Sequence, residues 1–343
     1  MTRQTVLGLR VAPMEEVRVG FVGLGERGQK AVKRFSEIAH ARVAALCDTD
    51  EERMREWVFK ESGHLPILSD HRTPKLLNNY EEVCLSPDVD LVYVCTDWAS
   101  HTPIALKAME NGKHVAIEVP AATTLADCWA LVETAERTRR HCTMLENCCY
   151  ASCHLQTLAA TRRGRMGTIV HVEGAYIHPM DDRWTPWRTE ANRQLRGDLY
   201  PTHGMGPACQ LLGIHRTDFI ETLVSMDTNA FMRSDFRNGD HTTTLMRTRL
   251  GKTILLQHNV VDPHEYTRRY HVVGTRRSVE SSDDTPHSLM SQRMDRRLVE
   301  CLHKGLPLDI DVYDVAEWCA VSELSRLSIE KESMPVAYPH FLR

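Results

Sequence analysis

The sequence predicts an α/β Rossmann domain with a parallel sheet, followed by an α+β domain with a largely antiparallel open sheet. Three observations carry this. A glycine turn separates an apolar strand from an amphipathic helix; a carboxylate, at position 48, ends the next strand; and the second half strings extended runs together without intervening helices. At 343 residues the chain exceeds what one core serves, so two domains are expected. We read residues 1–16 as an N-terminal extension, 17–147 as the dinucleotide-binding domain and 148–343 as a domain for substrate and oligomerisation.

Val17 to Val22 is a short apolar run ending in Gly23-Leu24-Gly25-Glu26-Arg27-Gly28, after which Ala31, Val32, Phe35, Ile38 and Ala39 recur at helical spacing. Gly23 permits the tight turn, Gly25 lets the backbone approach a pyrophosphate, and Gly28 allows helix to pack on strand. The next run, Arg42 to Cys47, ends in Asp48, where a carboxylate would grip the ribose diol. Asp50, Glu51 and Glu52 follow, so a 2′-phosphate would meet negative charge, with Arg53 the nearest cation; NAD is expected over NADP. Val89 to Cys95 opens into Thr96-Asp97-Trp98-Ala99-Ser100-His101 ahead of a helix from Pro103 to Asn111, which makes Trp98 and His101 neighbours of the cofactor. Val115 to Val119 is the next strand, ending at Glu118-Val119-Pro120. Leu125 to Arg139 then reads as a helix capped by Thr123 or Thr124.

The second half starts with a helix from about Cys149 to Arg163 and a strand from Thr168 to His178. Extended runs follow at Phe219–Met226, His241–Leu250, Thr253–Asn259 and Tyr270–Thr275, with Leu250-Gly251-Lys252 as a hairpin turn. Helices from Leu289 to Lys304 and Val312 to Lys331 close the chain. Tyr176 and His178 stand two apart and share one strand face. A loop after them holds Asp181, Asp182, Trp184, Trp187 and Arg188, a mixture suited to stacking on sugar rings and gripping hydroxyls. Tyr200 and His203 fall in a tight turn within Gly197 to Pro207, and Tyr266 adds a further polar aromatic. Together these supply proton-transfer groups beside a redox cofactor.

Composition limits the partners. Charged residues make up 26% with a net charge of -4 and dispersed Lys and Arg, which argues against nucleic acid or a membrane surface and for a small-molecule substrate. No apolar run reaches the ~20 residues of a membrane span, and Met1 to Glu16 lacks the apolar centre of a signal peptide, so a cytoplasmic protein is expected. Eleven cysteines, several within apparent helices and strands, fit buried thiols in a reducing compartment. The densest group, His141, Cys142, Cys148, Cys149, Cys153 and His154, has no Cys-x-x-Cys pair, and Cys149 and Cys153 are spaced as on one helix face; packed thiols are expected there, and no metal.

The glycine turn, Thr96-Asp97-Trp98 with His101, Gly112-Lys113-His114-Val115 leading to Glu118-Val119-Pro120, and Met144-Leu145-Glu146-Asn147-Cys148-Cys149-Tyr150 together resemble the glucose-fructose oxidoreductase and inositol dehydrogenase (Gfo/Idh/MocA) superfamily. Glu-Val-Pro-Ala-Ala, Leu-Glu-Asn-Cys-Cys-Tyr, Tyr176-Ile177-His178, Trp187-Arg188 and Leu-Tyr-Pro-Thr-His-Gly are similar to glycoside hydrolase family 109, the NAD-dependent α-N-acetylgalactosaminidase group. The superfamily's sugar dehydrogenases usually carry Glu-Lys-Pro; this chain has Val119 in place of that lysine, as the glycosidases do. The region from Ser225 to Asp240 looks short beside theirs.

The resemblance implies NAD contacts at Glu26, Arg27, Asp48, Trp98, Ala99, Ser100, His101, Glu118, Val119, Asn147 and Tyr200. It implies sugar contacts at Tyr176, Arg188, Tyr200, Pro201, Thr202, His203 and Tyr266. It also implies a route: the sugar C3 hydroxyl is oxidised, the ketone acidifies C2, the C1 substituent is eliminated, water adds, and the hydride returns. Hydrolysis without redox would need two paired carboxylates, and Asp181, Asp182 and Glu190 show no evident pairing. His203 and Tyr200 are the leading bases, with Tyr176 and His178 behind them. An NAD-dependent sugar or cyclitol dehydrogenase is the alternative, and a non-catalytic NAD-binding protein a third reading. The exposed sheet face of the second domain points to a homo-oligomer.

Overall fold

The computed structural model describes residues 4–61, 73–180, 183–261, 263, 265–281 and 285–342. In chain order the elements are β1 (Val17–Val22), α1 (Glu26–Phe35), β2 (Ala41–Cys47), α2 (Glu51–Glu61), β3 (Lys75–Leu77), α3 (Tyr80–Leu85), β4 (Leu91–Val94), α4 (Trp98–Glu110), β5 (His114–Ile117), α5 (Leu125–Thr138) and β6 (Cys142–Met144). A 3-10 turn at Asn147–Tyr150 precedes α6 (Ser152–Arg162), β7 (Ile169–Ile177), α7 (Pro186–Gln194), α8 (Thr202–Leu212) and the run of strands β8 (Ile220–Asp227), β9 (Thr242–Thr248), β10 (Thr253–Asn259), β11 (Tyr270–Gly274) and β12 (Ser278–Ser281). Helices α9 (His287–Lys304) and α10 (Val312–Glu330) and the short β13 (Val336–Ala337) end the chain. No helix among the described residues is long and apolar enough to cross a membrane.

Two compact units result. The first comprises Met1–Ala122, Ala126–Leu145 and Ser291–Ala316; the second comprises Thr123–Leu125, Glu146–Met290 and Glu317–Arg343.

The first unit holds a parallel six-stranded sheet in the order β3-β2-β1-β4-β5-β6. Its inner strands β4 and β5 are buried at every residue, as strands covered on both faces must be. All carboxyl ends lie along one edge, and the strand order reverses between β1 and β4. The segment Ser291–Ala316 returns to this unit for a physical reason: Asp295 of α9 is buried and receives Arg34 Nε at 2.6 Å and the Tyr93 hydroxyl at 3.0 Å. Tyr93 in turn packs on Phe21 and Phe35, with centroids 5.0 and 5.4 Å away. The chain, expected to stay in one domain after residue 147, therefore re-enters the first unit at Ser291 and leaves it again after Ala316. The N-terminal extension joins the same unit, where His303 Nδ1 meets the Met14 carbonyl at 2.7 Å and Thr5 Oγ1 meets the Tyr313 hydroxyl at 2.8 Å.

The second unit is built on a seven-stranded sheet in the order β12-β11-β7-β10-β9-β8-β13. Only the β7–β10 pair is parallel, so the sheet is mixed but mostly antiparallel. Helix α8 lies directly on β7. A Cβ on Gly174 would stand 2.6 Å from Gly204 Cα, so two glycines let helix backbone touch strand backbone.

Several local expectations change. Tyr200 and His203 lie at the entrance to helix α8 rather than in a tight turn, Arg188 is on α7 rather than in a loop, and α4 starts at Trp98, five residues before the expected Pro103. Cys149 belongs to the 3-10 turn and Cys153 to α6, so they do not share one helix. Asp181 and Asp182 lie outside the described residues.

Candidate active site

In the first unit the expected cofactor residues gather on the carboxyl edge of the sheet. Gly23 follows β1 with φ +91, and a Cβ there would stand 2.5 Å from the Cys95 carbonyl oxygen. A Cβ on Gly28 would overlap the Gly23 carbonyl oxygen, so the turn closes only with glycine at both places. Gly25 differs: nothing lies within 4 Å of its would-be Cβ, and it caps α1 without a side-chain bond. The open space beside Gly25, at the start of α1, is suited to a pyrophosphate.

Asp48 follows β2. Its Oδ2 accepts the Leu24 N–H at 2.6 Å and its Oδ1 accepts Arg53 Nη2 at 2.7 Å. The carboxylate is therefore fastened to the glycine turn, and Arg53 is tied to it rather than free for a 2′-phosphate. After β4, Asp97 caps α4 by accepting the Ser100 N–H at 3.1 Å and the Ser100 hydroxyl at 2.9 Å. Trp98, Ala99, Ser100 and His101 form that helix's first turn. Buried His101 places its two ring nitrogens 2.8 Å from the Pro120 carbonyl and 3.1 Å from the Thr96 carbonyl, and burial lowers its basicity. The ring joins the start of α4 to the segment after β5, which carries Glu118 and buried Val119. Glu118 donates its N–H to the Val94 carbonyl at 2.9 Å.

The second unit assembles the rest. Tyr176 near the end of β7 is the hub: its ring centroid lies 4.4 Å from Tyr200, 5.3 Å from His203 and 5.5 Å from His178. His178 meets Tyr266 edge-on at 4.7 Å. The β7–β10 register sets His258 beside Tyr176, and burial drives that imidazole down to about 3, so it is a neutral support. Pro201 caps α8, Thr202 is fully buried in its first turn, and His203 follows. Arg188 stacks its guanidinium over Trp187 at 4.9 Å. Asn147 Nδ2 lies 2.9 Å from His287 Nε2.

The two site histidines differ in their protons. His203 Nδ1 lies 2.7 and 2.9 Å from the two carboxylate oxygens of Glu146, and both side chains are buried. Burial opposes the charge on each. The Cys148 sulfur and the Glu146 carboxylate nevertheless raise His203 to about 10, and the imidazolium holds Glu146 below its ordinary range. His178 goes the other way: burial and the nearby Arg183 and Arg188 push it down. Its Nδ1 faces the Pro179 carbonyl at 2.8 Å and its Nε2 faces Arg183 Nη1 at 3.0 Å, so the neutral ring donates on one side and accepts on the other.

Glu146, within the motif from Met144 to Tyr150, is not among the expected site residues. The signal that could have found it is its place just past β6, at the carboxyl end of a strand. Arg183 and Arg268 were missed as well. Arg268 lies over the Tyr266 ring at 5.4 Å and sends Nη1 to Cys148 Sγ at 3.6 Å. Glu146, Cys148 and His203 are close enough to share a metal ion. That guanidinium beside the sulfur repels a cation, and the carboxylate–imidazole bonds already use the ligand atoms.

Comparison with known proteins identifies the family of each half of the chain. Residues 17–145 match the Gfo/Idh/MocA oxidoreductase family model, an NAD-binding Rossmann fold, and residues 181–287 and 276–343 match the glycosyl hydrolase 109 C-terminal domain. The expected cofactor, NAD, accords with the first match. A glycosyl hydrolase family 109 protein of Porphyromonas gingivalis is 42% identical over 410 residues, covering 98% of this chain and 87% of that one. A protein of the same name from Bacteroides fragilis is 42% identical over 417 residues, covering 99% and 88%. Both alignments run longer than the present chain, so these relatives carry insertions.

Among solved structures, scyllo-inositol dehydrogenase of Lactobacillus casei with bound NAD(H) and scyllo-inositol superposes with a TM-score of 0.77 at 14% identity, covering 94% of this chain and 99% of that one. Myo-inositol dehydrogenase of Lactobacillus casei with NAD(H) and myo-inositol gives 0.75 at 17%, covering 96% and 100%. At such identities the likeness is one of fold.

Proposed function

We propose that this chain, which belongs to glycosyl hydrolase family 109, hydrolyses a glycosidic bond of a small carbohydrate by transient oxidation of the sugar at C3. The substrate class is an α-N-acetylgalactosaminide-like glycoside. The observation that carries the reading is the buried Glu146–His203 pair under the Tyr176–Tyr200 stack, in a chain with Val119 where a dehydrogenase lysine would stand. A bound NAD would supply the reversible hydride acceptor that oxidation at C3 requires.

The chain's own groups do the proton work. With Nδ1 committed to Glu146, His203 exchanges protons with substrate through Nε2, and as an imidazolium it stabilises negative charge on a sugar oxygen. Tyr200 and Tyr176, which meet it edge to face, are left to take up the C2 proton and to activate water. His178 is a weaker candidate base, because its lone pair already accepts from Arg183. Arg188 and Tyr266 hold sugar hydroxyls. Glu26, Arg27, Asp48, Trp98 to His101, Glu118, Asn147 and Tyr200 hold the cofactor.

Purified protein should release p-nitrophenol from an aryl α-N-acetylgalactosaminide without net NADH absorbance, and in D2O the product should carry deuterium at C2. Stoichiometric NADH from a free sugar or cyclitol, without glycoside cleavage, would instead establish the dehydrogenase reading.

We also propose that two copies pair through the open face of the seven-stranded sheet. Val224, Leu245 and Leu255 stand in register across β8, β9 and β10, and Leu245 is 47% exposed. Light scattering should give a multiple of the chain mass, lowered by Leu245→Lys.

A further inference from the structure

The segment that delivers Tyr200 to the site is pinned by buried bonds. Gly197 has φ +104, and a Cβ there would stand 2.5 Å from Ser325 Oγ and 2.9 Å from the Arg326 nitrogen. Its N–H donates to Asn238 Oδ1 at 2.9 Å, and Asn238 donates to Asn192 Oδ1 at 3.1 Å. The next residue, Asp198, is 1% exposed; its N–H donates to Ser325 Oγ at 2.9 Å. The Asp198 carboxyl group receives the Tyr200 N–H at 3.1 Å. Arg326 is the one charged side chain among these neighbours, and its guanidinium is taken by Glu323 and Glu330. A carboxyl group thus sits out of water with an amide donor and, among the described residues, no counter-ion, an arrangement that costs stability and calls for a reason.

We propose that Asp198 is a positioning residue for the reaction described above: ionised, its carboxylate grips the Tyr200 amide, and protonated, it holds that amide more weakly, so Asp198 sets how Tyr200 stands against Tyr176 and His203. The proposal rests on the assignment of Tyr200 to the site. A carboxylate accepts a shorter and stronger bond than a neutral acid, whose own hydroxyl must find a partner. Burial, only partly offset by the Tyr200 amide, pushes Asp198 up to about 7, so both forms are present near neutral pH.

Asp198→Asn keeps the size and the carbonyl acceptor but has no proton to lose. In the NAD-loaded wild type, kcat should fall about tenfold, the equivalent of one buried hydrogen bond, as pH drops through about 7. In Asp198→Asn that limb should be missing. A wild-type pH profile in Asp198→Asn overturns the proposal, as does wild-type kcat in Asp198→Ala. A measurement on the wild-type holoenzyme needs neither variant nor turnover. Carbon-13 NMR of labelled aspartate should show one carboxyl titrating near 6, Asp295, and one near 7, Asp198. Absence of the second overturns the proposal even if the glycosidase reading fails, and its presence stands even then.

Discussion

The carboxyl edge of the first unit's sheet and the aromatic cluster of the second unit solve different problems with different material. Along the first edge the fit is made by backbone: glycines that admit no Cβ, a capless helix start, and a carboxylate bonded to the turn itself. In the second unit the fit is made by side chains from β7, α7, α8 and the 3-10 turn, whose protonation depends on one another. Backbone sites tolerate exchange of neighbouring side chains but not of glycines, whereas a side-chain site tolerates neither loss of charge nor loss of a ring.

The sharpest attack on this contrast is Glu146→Gln. It should lower kcat about 100-fold or more, the usual weight of a preorganised charge, and destabilise the fold by about 3 kcal/mol, yet leave NAD affinity intact in a fluorescence titration. Loss of NAD binding in that variant would erase the distinction. The converse is Gly23→Ala, where strain and overlap with the Cys95 carbonyl should weaken NAD about 100-fold by the same titration.

Asp48→Ser should free Arg53 and move preference about tenfold from NAD towards NADP, read from the two dissociation constants. His178→Gln, which preserves a donor and an acceptor, should change kcat by no more than about threefold. A loss as large as that of Glu146→Gln would make His178 the base after all.

The smallest effect is in stability against pH. His203, raised to about 10, contributes fully below its ordinary value near 6.5 and loses that contribution as pH rises through about 10. Glu146, lowered, contributes above its ordinary value near 4.5 and loses it as pH falls through its depressed one. The Tm advantage of wild type over Glu146→Gln, measured by calorimetry, should amount to a few degrees between these limits and shrink outside them.

The contrast also explains what could be read from the sequence. The glycine turn and Asp48 were legible because the chemistry is local: spacing, strand ends and φ-permissive residues stand together. Helix α8 was not, since Thr-His-Gly-Met-Gly-Pro is a poor helix former. It is helical because Gly204 fits against Gly174 and Gly206 fits against Glu146 and Trp318, contacts with no signature in the local sequence. The Glu146–His203 pair was equally invisible, its partners lying 57 residues apart in the chain. His178 was legible as a face-mate of Tyr176, but its proton state depended on Arg183, a loop residue.

The meeting of Gly174 with Gly204 also bears on how such a site can change over generations. With no side chain between helix and strand, the spacing of His203 from Tyr176 is not adjustable in small steps. A methyl at Gly174 drives into the helix backbone, and one at Gly204 meets the Leu256 side chain and crowds the strand. Laboratory variation that alters the preferred sugar is therefore best sought in α7, which carries Arg188, and a randomised library is best confined there.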